Sequence, residues 1–344
     1  MKTSERRKPN GFAHYALWEH GHGDEDPTEF YERQGKKLDS LVTRFERQGT
    51  PFHVLAGESA NMTEAEVSET TKRLEDLRTI AGEAYGVLLG QGVDDREATI
   101  ELIKVFHDRF NLGTARATAI AIAGKHGIQI ALAEAHKTAD RSRIMQTPGL
   151  LSAMEKEVKT AVEQKRLIDA KRIALGHIAK IGAIQATRDN NIAQRTATIC
   201  KEWKQSHGQK GGAPRILIHL GPAHLPAAYL QKHLHPNITV RVHLLTESLR
   251  TRKPGLYRLL DRTSQRMAAG EPLREKDVDA GLLHLALEGQ DERFKTEPGL
   301  KQAKQMTGRL KPGDFERIAK QFEQPRAELW GIIRKVTKTK KTNS

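Results

Sequence analysis

The stretch that decides the fold lies past the middle of the chain and reads Arg215-Ile216-Leu217-Ile218-His219-Leu220. A short, nearly continuous apolar run of this kind is typical of a buried strand. Four further segments have strand character, at residues 12–17, 52–56, 128–132 and 238–242. Helical patterns and long connections separate them. Strand–helix–strand alternation with long crossovers predicts an α/β fold, with a mostly parallel sheet flanked by helices.

The longer helical patterns define the rest of the organisation. Residues 61–122 are predicted to be a helical insertion, and residues 150–207 a long helical region broken near Gly176 and Gly182. Glycine is a poor helix former, so these two positions are natural places for a break. After Thr246 the pattern is helical and basic.

These patterns predict three parts. An α/β core covers residues 1–246, and a basic helical domain covers residues 247–333. Residues 334–344 hold five Lys and Arg and no acidic residue, so we expect a disordered basic tail.

The composition narrows the class of protein. Hydrophobic residues make up 37% of the 344 residues and charged residues 29%, which favours a helix-rich protein with broad solvated faces. No apolar run approaches the roughly 20 residues that a membrane-spanning helix needs, so we expect no membrane partner. Cys200 is the only cysteine, which excludes an intrachain disulfide and a thiolate zinc cluster. A cytoplasmic location is expected.

The net charge of +14 is unevenly distributed. Residues 1–134 hold 17 Lys and Arg against 22 Asp and Glu, whereas residues 135–245 hold 18 against 7 and residues 246–344 hold 22 against 14. A basic C-terminal region is compatible with a nucleic acid or another polyanion as partner. A merely solvated basic surface is the alternative, and both stay open.

Imidazole and carboxylate groups follow the predicted strands. The groups in question are Glu19, His20 and His22 after the first strand, Glu58 after the second, Glu134 after the third, and His219 and His224 at the end of the fourth. Parallel strands have their carboxyl ends at one edge of the sheet, so these groups are expected to converge. Histidine and carboxylate side chains can bind a divalent metal with a bound water, or they can act as acid and base in hydrolysis without a metal. We expect His20 and His219 to face away from His22 and His224. The sequence contains no P-loop and no dinucleotide-binding fingerprint.

The order and spacing of these groups resemble one known superfamily. It unites TraB/PrgY-type proteins, TIKI metalloproteases, erythromycin esterases and the ChaN haem-binding lipoproteins. The matching motifs are Trp18-Glu19-His20-Gly21-His22-Gly23, Glu58 after the second strand, Glu134 after a later strand, Thr187-Arg188-Asp189-Asn190-Asn191-Ile192-Ala193, and Gly221-Pro222-Ala223-His224-Leu225. Trp18 stands where the family has glycine. The likeness covers about residues 12–246.

The resemblance implies a hydrolase of peptide or ester bonds acting on a small molecule or a peptide. Its catalytic residues would be Glu19, His22, Glu58, Arg188 and His224. In some members a divalent metal (Mn, Zn or Co) takes part and in others none does; here His22, Glu58 and His224 would hold it. Otherwise one histidine activates water, Glu58 is the base, and Arg188 stabilises negative charge on the substrate.

Each of these residues also has a local explanation. His224 is placed to cap a helix, His22 lies in a polar turn, and Glu58 follows a strand without further role. Arg188 with Asp189 fits a surface ion pair. Cys200, beside apolar residues, is expected in the core. Two functional classes therefore remain: a hydrolase, and a non-catalytic protein on the same scaffold that binds a polyanion through residues 246–344.

Overall fold

The structure is a computed structural model. It describes residues 11–17, 25–58, 62–137, 140–141, 144, 146–208, 213–221, 238–245, 272–273 and 275–338. The chain forms two compact units. The first comprises residues 1–142 and 187–247, and the second residues 143–186 and 248–344.

The first unit is built on a parallel sheet, which confirms the predicted α/β fold. Its strands are β1 (Gly11–Leu17), β2 (Val54–Gly57), β3 (Gln129–Leu132), β4 (Arg215–Leu220) and β5 (Ile238–Leu244). The strand order is β3-β2-β4-β1-β5, and every pairing is parallel. All five carboxyl ends therefore lie at one edge of the sheet, where ligand sites of α/β folds are found.

The helices before β3 follow the predicted pattern. They are α1 (Pro27–Phe30), a π-helical turn (Tyr31–Gly35), α2 (Lys36–Arg47), α3 (Glu64–Gly90), α4 (Asp95–Phe110) and α5 (Thr114–Lys125). Thr63 and Glu66 form a capping box at the start of α3, and Asp94 caps α4. Side-chain oxygens at these positions satisfy amide groups that a helix start leaves without partners.

Apolar side chains of α2 and α5 cover one face of the sheet. Leu38 and Val42 of α2 pack with Ile122 of α5 against Leu55 and Leu217, all of them buried. A second cluster joins α3, α4 and α5. The predicted helical insertion is thus a layer of α3, α4 and α5, in which α3 also packs directly against β3.

Two helices carry residues 147–207, and their junction differs from the prediction. They are α6 (Thr147–Glu163) and α7 (Leu167–His207). The chain turns at Lys165, whose φ is +60°, and α7 continues through Gly176 and Gly182, so the predicted breaks there are wrong. A glycine costs a helix only about 1 kcal/mol, and the buried side chains of Ile178 and Ile181 offset it.

The second unit is helical in its described part. After α6 and the first part of α7 come α8 (Glu275–Gln290), a 3₁₀ turn (Glu292–Lys295), α9 (Glu297–Thr307), α10 (Asp314–Phe322) and α11 (Leu329–Lys338). Leu282, Phe315 and Ile333 belong to its core. The unit also takes in residues 143–186, which the sequence assigned to the α/β core.

The C-terminal prediction needs a correction. Residues 334–338 belong to α11, whereas we expected disorder from residue 334. Ile332, Ile333 and Val336 are spaced for one face of a helix, and all three side chains are buried in the core of the second unit. Residues 339–344 lie outside the described residues.

In the described part of the chain, no helix combines the length and the apolar character required to cross a membrane.

Candidate functional site

Two strand ends and one helix bring an arginine between two glutamates. Glu58 directly follows β2, Glu134 lies two residues after β3, and Arg188 is on α7. Arg188 Nε donates to Glu134 Oε1 at 2.7 Å, and its Nη2 donates to Glu134 Oε2 at 2.9 Å and to Glu58 Oε1 at 2.5 Å. This bidentate pairing fixes the plane of the guanidinium group.

The three charged groups are shielded from solvent to different degrees. The Glu134 side chain is fully buried, whereas those of Arg188 and Glu58 keep 13% and 14% of their surface exposed. Burial by itself lowers the pKa of Arg188, but the hydrogen bonds and charges of Glu134 and Glu58 outweigh it and raise that pKa. Arg188 is therefore a permanent cation whose charge is neutralised inside the protein.

A second layer of polar groups holds Glu134. The Nε2 atom of His136 lies 2.6 Å from Glu134 Oε1. The Nδ2 atom of Asn191, one turn beyond Arg188 on α7, lies 2.9 Å from Nδ1 of His136. His136 is 2% exposed. A buried network of this kind locks its members into one geometry, and here it positions Arg188 under Glu58.

Glu58 and His219 border the same cavity. The cavity has a volume of about 440 Å³, and its walls include Gly57, Glu58, His219 and residues 130–132. Glu58 Oε2 also accepts a hydrogen bond from the backbone N–H of Gly221 at 3.3 Å. One carboxylate oxygen thus faces Arg188 and the other faces the end of β4, which holds the carboxylate at the mouth of the cavity.

His219 reaches the cavity because its partner in the sheet has no side chain. Gly57 on β2 pairs with His219 on β4. A Cβ atom at residue 57 would stand 2.6 Å from Nε2 of His219, closer than real Cβ contacts. The imidazole therefore lies directly over Gly57, one residue away from Glu58.

The opposite wall of the cavity belongs to helices. Gly113, Ala115, Arg116 and Ala119 line it from the start of α5, and Leu74 from α3. The Arg116 side chain is partly buried, and burial lowers the pKa of Arg116. The cavity therefore presents a carboxylate and an imidazole from the sheet and a guanidinium from the helical side.

The five predicted site residues divide into two groups. Glu58 and Arg188, 130 residues apart, are in direct contact, as the shared-site prediction requires. Glu19, His22 and His224 lie outside the described residues, as does His20. Leu17 and Leu220 are register partners at the ends of β1 and β4. The segments that carry His22 and His224 therefore leave neighbouring strands at the same edge.

The alternative for Arg188 is wrong. Arg188 with Asp189 was weighed as a surface ion pair, but Asp189 is fully buried and Arg188 pairs with Glu58 and Glu134. The role that the resemblance gives to Arg188, stabilising negative charge on a substrate, stays a prediction; in the structure its guanidinium binds two carboxylates.

The sequence pattern gave no individual role to Arg116, His136 or Asn191. It predicted that His219 faces away from His224, which lies outside the described residues, and the register with Gly57 brings His219 into the cavity. Arg116 offered a signal, since it is the only charged residue between Thr114 and Gly124, in a helix of Ala, Thr and Ile. His136 lies two residues after Glu134, but nothing in its local pattern indicates a partner on α7.

The chemistry at Glu58 does not favour a metal. Its carboxylate already pairs with the Arg188 cation, so a metal ion at the same oxygens would face like charge. No group of three or more His, Cys, Asp or Glu side chains placed to hold a metal is found among the described residues. Two of the three predicted ligands, His22 and His224, lie outside the described residues, so the metal site stays a prediction.

Comparisons of the chain with protein-family models, with curated proteins and with solved structures found no match. The superfamily suggested by the motifs thus stays a prediction.

Proposed function

We propose that this protein is a hydrolase that cleaves a peptide or ester bond of a small substrate in the cavity at the carboxyl edge of the sheet. One observation carries the proposal. Glu58 and His219, from neighbouring strands, line one cavity of about 440 Å³, and Arg188 holds the carboxylate in place. Small-molecule sites are commonly cavities of about this size with a few convergent polar groups.

The reaction needs one group that takes a proton and one that gives a proton. In this proposal Glu58 accepts a proton from water, and the water oxygen attacks the carbonyl carbon of the substrate. His219 donates a proton to the leaving oxygen or nitrogen as the bond to the carbonyl carbon breaks. Transfer of the proton from Glu58 to His219 then restores both groups, so that one water is consumed for each bond cleaved.

Arg188 and the groups behind it act as positioning residues. Arg188 Nη2 holds Glu58 Oε1, and Glu134 and His136 fix Arg188 from the buried side. Fixing a reacting group in this way lowers the cost of orienting it in the transition state. His22, His224 and Glu19 remain predicted members of the site, because they follow β1 and β4 at the same edge.

Ester hydrolysis tests the proposal. The substrates are 4-nitrophenyl acetate and mono-4-nitrophenyl succinate, and the variants are Glu58→Gln and His219→Gln. Loss of a general acid or base costs about 10²- to 10⁴-fold in kcat, so each variant is expected to lose at least 10²-fold. The matched controls are Glu157→Gln and His177→Gln, a partly exposed carboxylate–imidazole pair of the second unit with a separation of 3.2 Å.

The controls are expected to keep the wild-type rate, with circular dichroism showing that every variant is folded. Hydrolysis by Glu58→Gln and His219→Gln at the wild-type rate would contradict the proposed site. The variants His22→Ala and His224→Ala test the two predicted histidines in the same assay, and a loss of at least 10²-fold is expected if they act in the reaction.

Elemental mass spectrometry of the purified protein tests the metal that the resemblance implies. Because Glu58 is paired with Arg188, we expect no stoichiometric Mn, Zn or Co. One equivalent of metal that is lost in Glu58→Gln would instead make Glu58 a ligand.

Polyanion binding through residues 246–344 is the second candidate function. The described helices at residues 275–338 hold 13 Lys and Arg against 11 Asp and Glu, so most of the basic excess lies elsewhere in the region. Six basic residues of the region (Arg250, Arg252, Lys253, Arg258, Arg262 and Arg266) lie outside the described residues. Retention on heparin that is unchanged when these six residues are replaced by Gln would remove this candidate. Retention that falls steeply with salt and is lost in that variant would support it.

A further inference from the structure

Arg116 is a shielded cation with no acidic partner in the described part of the chain. No carboxylate oxygen of that part lies within ion-pair distance of its guanidinium, and burial lowers the pKa of Arg116. Shielding a charge from water without a counter-charge nearby costs free energy. A ligand with negative charge would recover that cost.

Three other shielded cations of this protein are paired with acids. Lys125 lies 2.9 Å from Asp39, Lys171 lies 2.9 Å from Asp279, and Arg188 lies between two glutamates. Arg215, which is also partly buried, instead donates to the Thr50 carbonyl oxygen and lies over the ring of Phe12. Arg116 differs from the three paired cations, and it lies in the wall of the cavity that contains Glu58 and His219.

The other residues that line the cavity indicate the chemistry of the rest of the ligand. Near Arg116 the lining is apolar, with Ala115, Ala119, Leu74, Ile130 and Leu132. Arg116 is also in the first turn of α5, where the helix dipole adds positive potential. A ligand that fits both features has a small apolar body and one anionic group.

We infer that the cavity binds a small molecule whose carboxylate or phosphate group pairs with Arg116 and whose apolar part contacts Leu74, Ile130 and Leu132. The planar fork of a guanidinium matches either anion through two parallel hydrogen bonds. The inference rests on the proposed function only in calling this molecule the substrate. The anionic group would then orient the scissile bond toward Glu58 and His219.

Calorimetric titration tests the anion site without any turnover. The probes are benzoate and phenyl phosphate, with benzamide as the neutral analogue of benzoate. We expect at least one of the two anions to bind, and benzamide to bind at least about tenfold more weakly, because it lacks the charge-assisted hydrogen bonds. Arg116→Gln is expected to weaken binding of the anion by about tenfold or more. The matched control is Arg96→Gln, an exposed arginine of the same unit that pairs with Glu32; it is expected to bind like the wild type.

A stability measurement separates binding from a structural role. Because Arg116 has no described counter-charge, Arg116→Gln is expected to unfold at the same or a higher urea concentration than the wild type. A clear drop in the urea midpoint would mean that Arg116 has a structural partner, and it would overturn the inference. Failure of both anions to bind, or equal binding to Arg116→Gln, would overturn it as well.

The two proposals fail in different ways. If the protein binds benzoate but hydrolyses neither ester, the proposed anion site stands and the proposed hydrolase is wrong. If the protein is a hydrolase, KM for mono-4-nitrophenyl succinate is expected to be about tenfold lower than KM for 4-nitrophenyl acetate, and Arg116→Gln is expected to remove that difference. If the wild type and Arg116→Gln hydrolyse both esters with the same KM, the proposed hydrolase stands and the proposed anion site is wrong.

Discussion

Replacing Glu134 with Gln removes the charge that neutralises Arg188 from the buried side. Glu134 is fully buried, and its two oxygens make three contacts shorter than 3 Å, two with Arg188 and one with His136. A glutamine keeps one acceptor but turns an amide N–H₂ toward a guanidinium N–H. Removing one partner of a buried ion pair costs about 3–5 kcal/mol, so we expect a loss of about 4 kcal/mol in the free energy of unfolding.

The same reasoning ranks the neighbouring variants. Glu58→Gln is expected to cost less, about 2 kcal/mol, because the Glu58 side chain is partly exposed whereas that of Glu134 is fully buried. The double variant Glu134→Gln/Arg188→Met is expected to be more stable than Glu134→Gln alone, since it removes the uncompensated guanidinium as well.

Urea denaturation, followed by circular dichroism and tryptophan fluorescence, measures these differences. Glu157→Gln, in the second unit, is the control and is expected to stay within about 0.5 kcal/mol of the wild type. A loss below about 1 kcal/mol for Glu134→Gln is what an exposed pair gives, and it would refute the buried network. The single variant Arg188→Met completes the comparison. If the loss of unfolding free energy in the double variant equals the sum of the losses in Glu134→Gln and Arg188→Met, Glu134 and Arg188 are not coupled.

Three further predictions concern other parts of the first unit. Gly57→Ala places a Cβ atom 2.6 Å from His219 Nε2, so the imidazole must move; we expect kcat for ester hydrolysis to fall about 10²-fold, and an unchanged kcat would contradict the geometry. Burial opposes ionisation of Asp39, but hydrogen bonds from His126 and Lys125 outweigh it and lower the pKa of Asp39. Its stabilisation is thus present above the unfolded pKa of about 3.9 and lost as pH falls through the lower folded pKa. Asp39→Asn should therefore cost about 2 kcal/mol in urea denaturation at pH 7 and clearly less near pH 2, and an equal cost at both pH values would contradict this. Burial raises the pKa of Cys200 to about 11, so a disulfide reagent at pH 8 is expected to label Cys200 only after unfolding, and fast labelling of the native protein would contradict its burial.

Local pattern was sufficient for the sheet and for the pairing of strand ends. The apolar run at residues 215–220 forms a strand, because a strand buried on both faces needs apolar side chains in sequence. The four weaker segments also form strands, and β5, at the edge of the sheet, leaves Val242 exposed. Glu58 was predicted at the sheet edge from its place after β2, and Arg188 from its motif. The parallel topology brings Glu58 and Glu134 together after β2 and β3, and Arg188 reaches both from α7.

The cavity itself depends on features that no local pattern contains. His219 faces Glu58's side of the cavity only because the register places it opposite Gly57, and register is set by the whole sheet. Arg116 has no acidic partner among the described residues, because none of their acidic side chains reaches its guanidinium at the start of α5. The continuity of α7 through Gly176 depends on core contacts of Ile178 and Ile181, which are tertiary and outweigh helix propensity.

A crystal structure of the protein soaked with benzoate shows whether Glu58 and Arg116 line one ligand-binding cavity. We expect benzoate in the cavity, with its carboxylate paired with the Arg116 guanidinium and its ring in contact with Leu74 and Leu132, while Glu58 stays bound to Arg188. Benzoate bound elsewhere on the protein, or a cavity in which Glu58 and Arg116 line separate spaces, would contradict it.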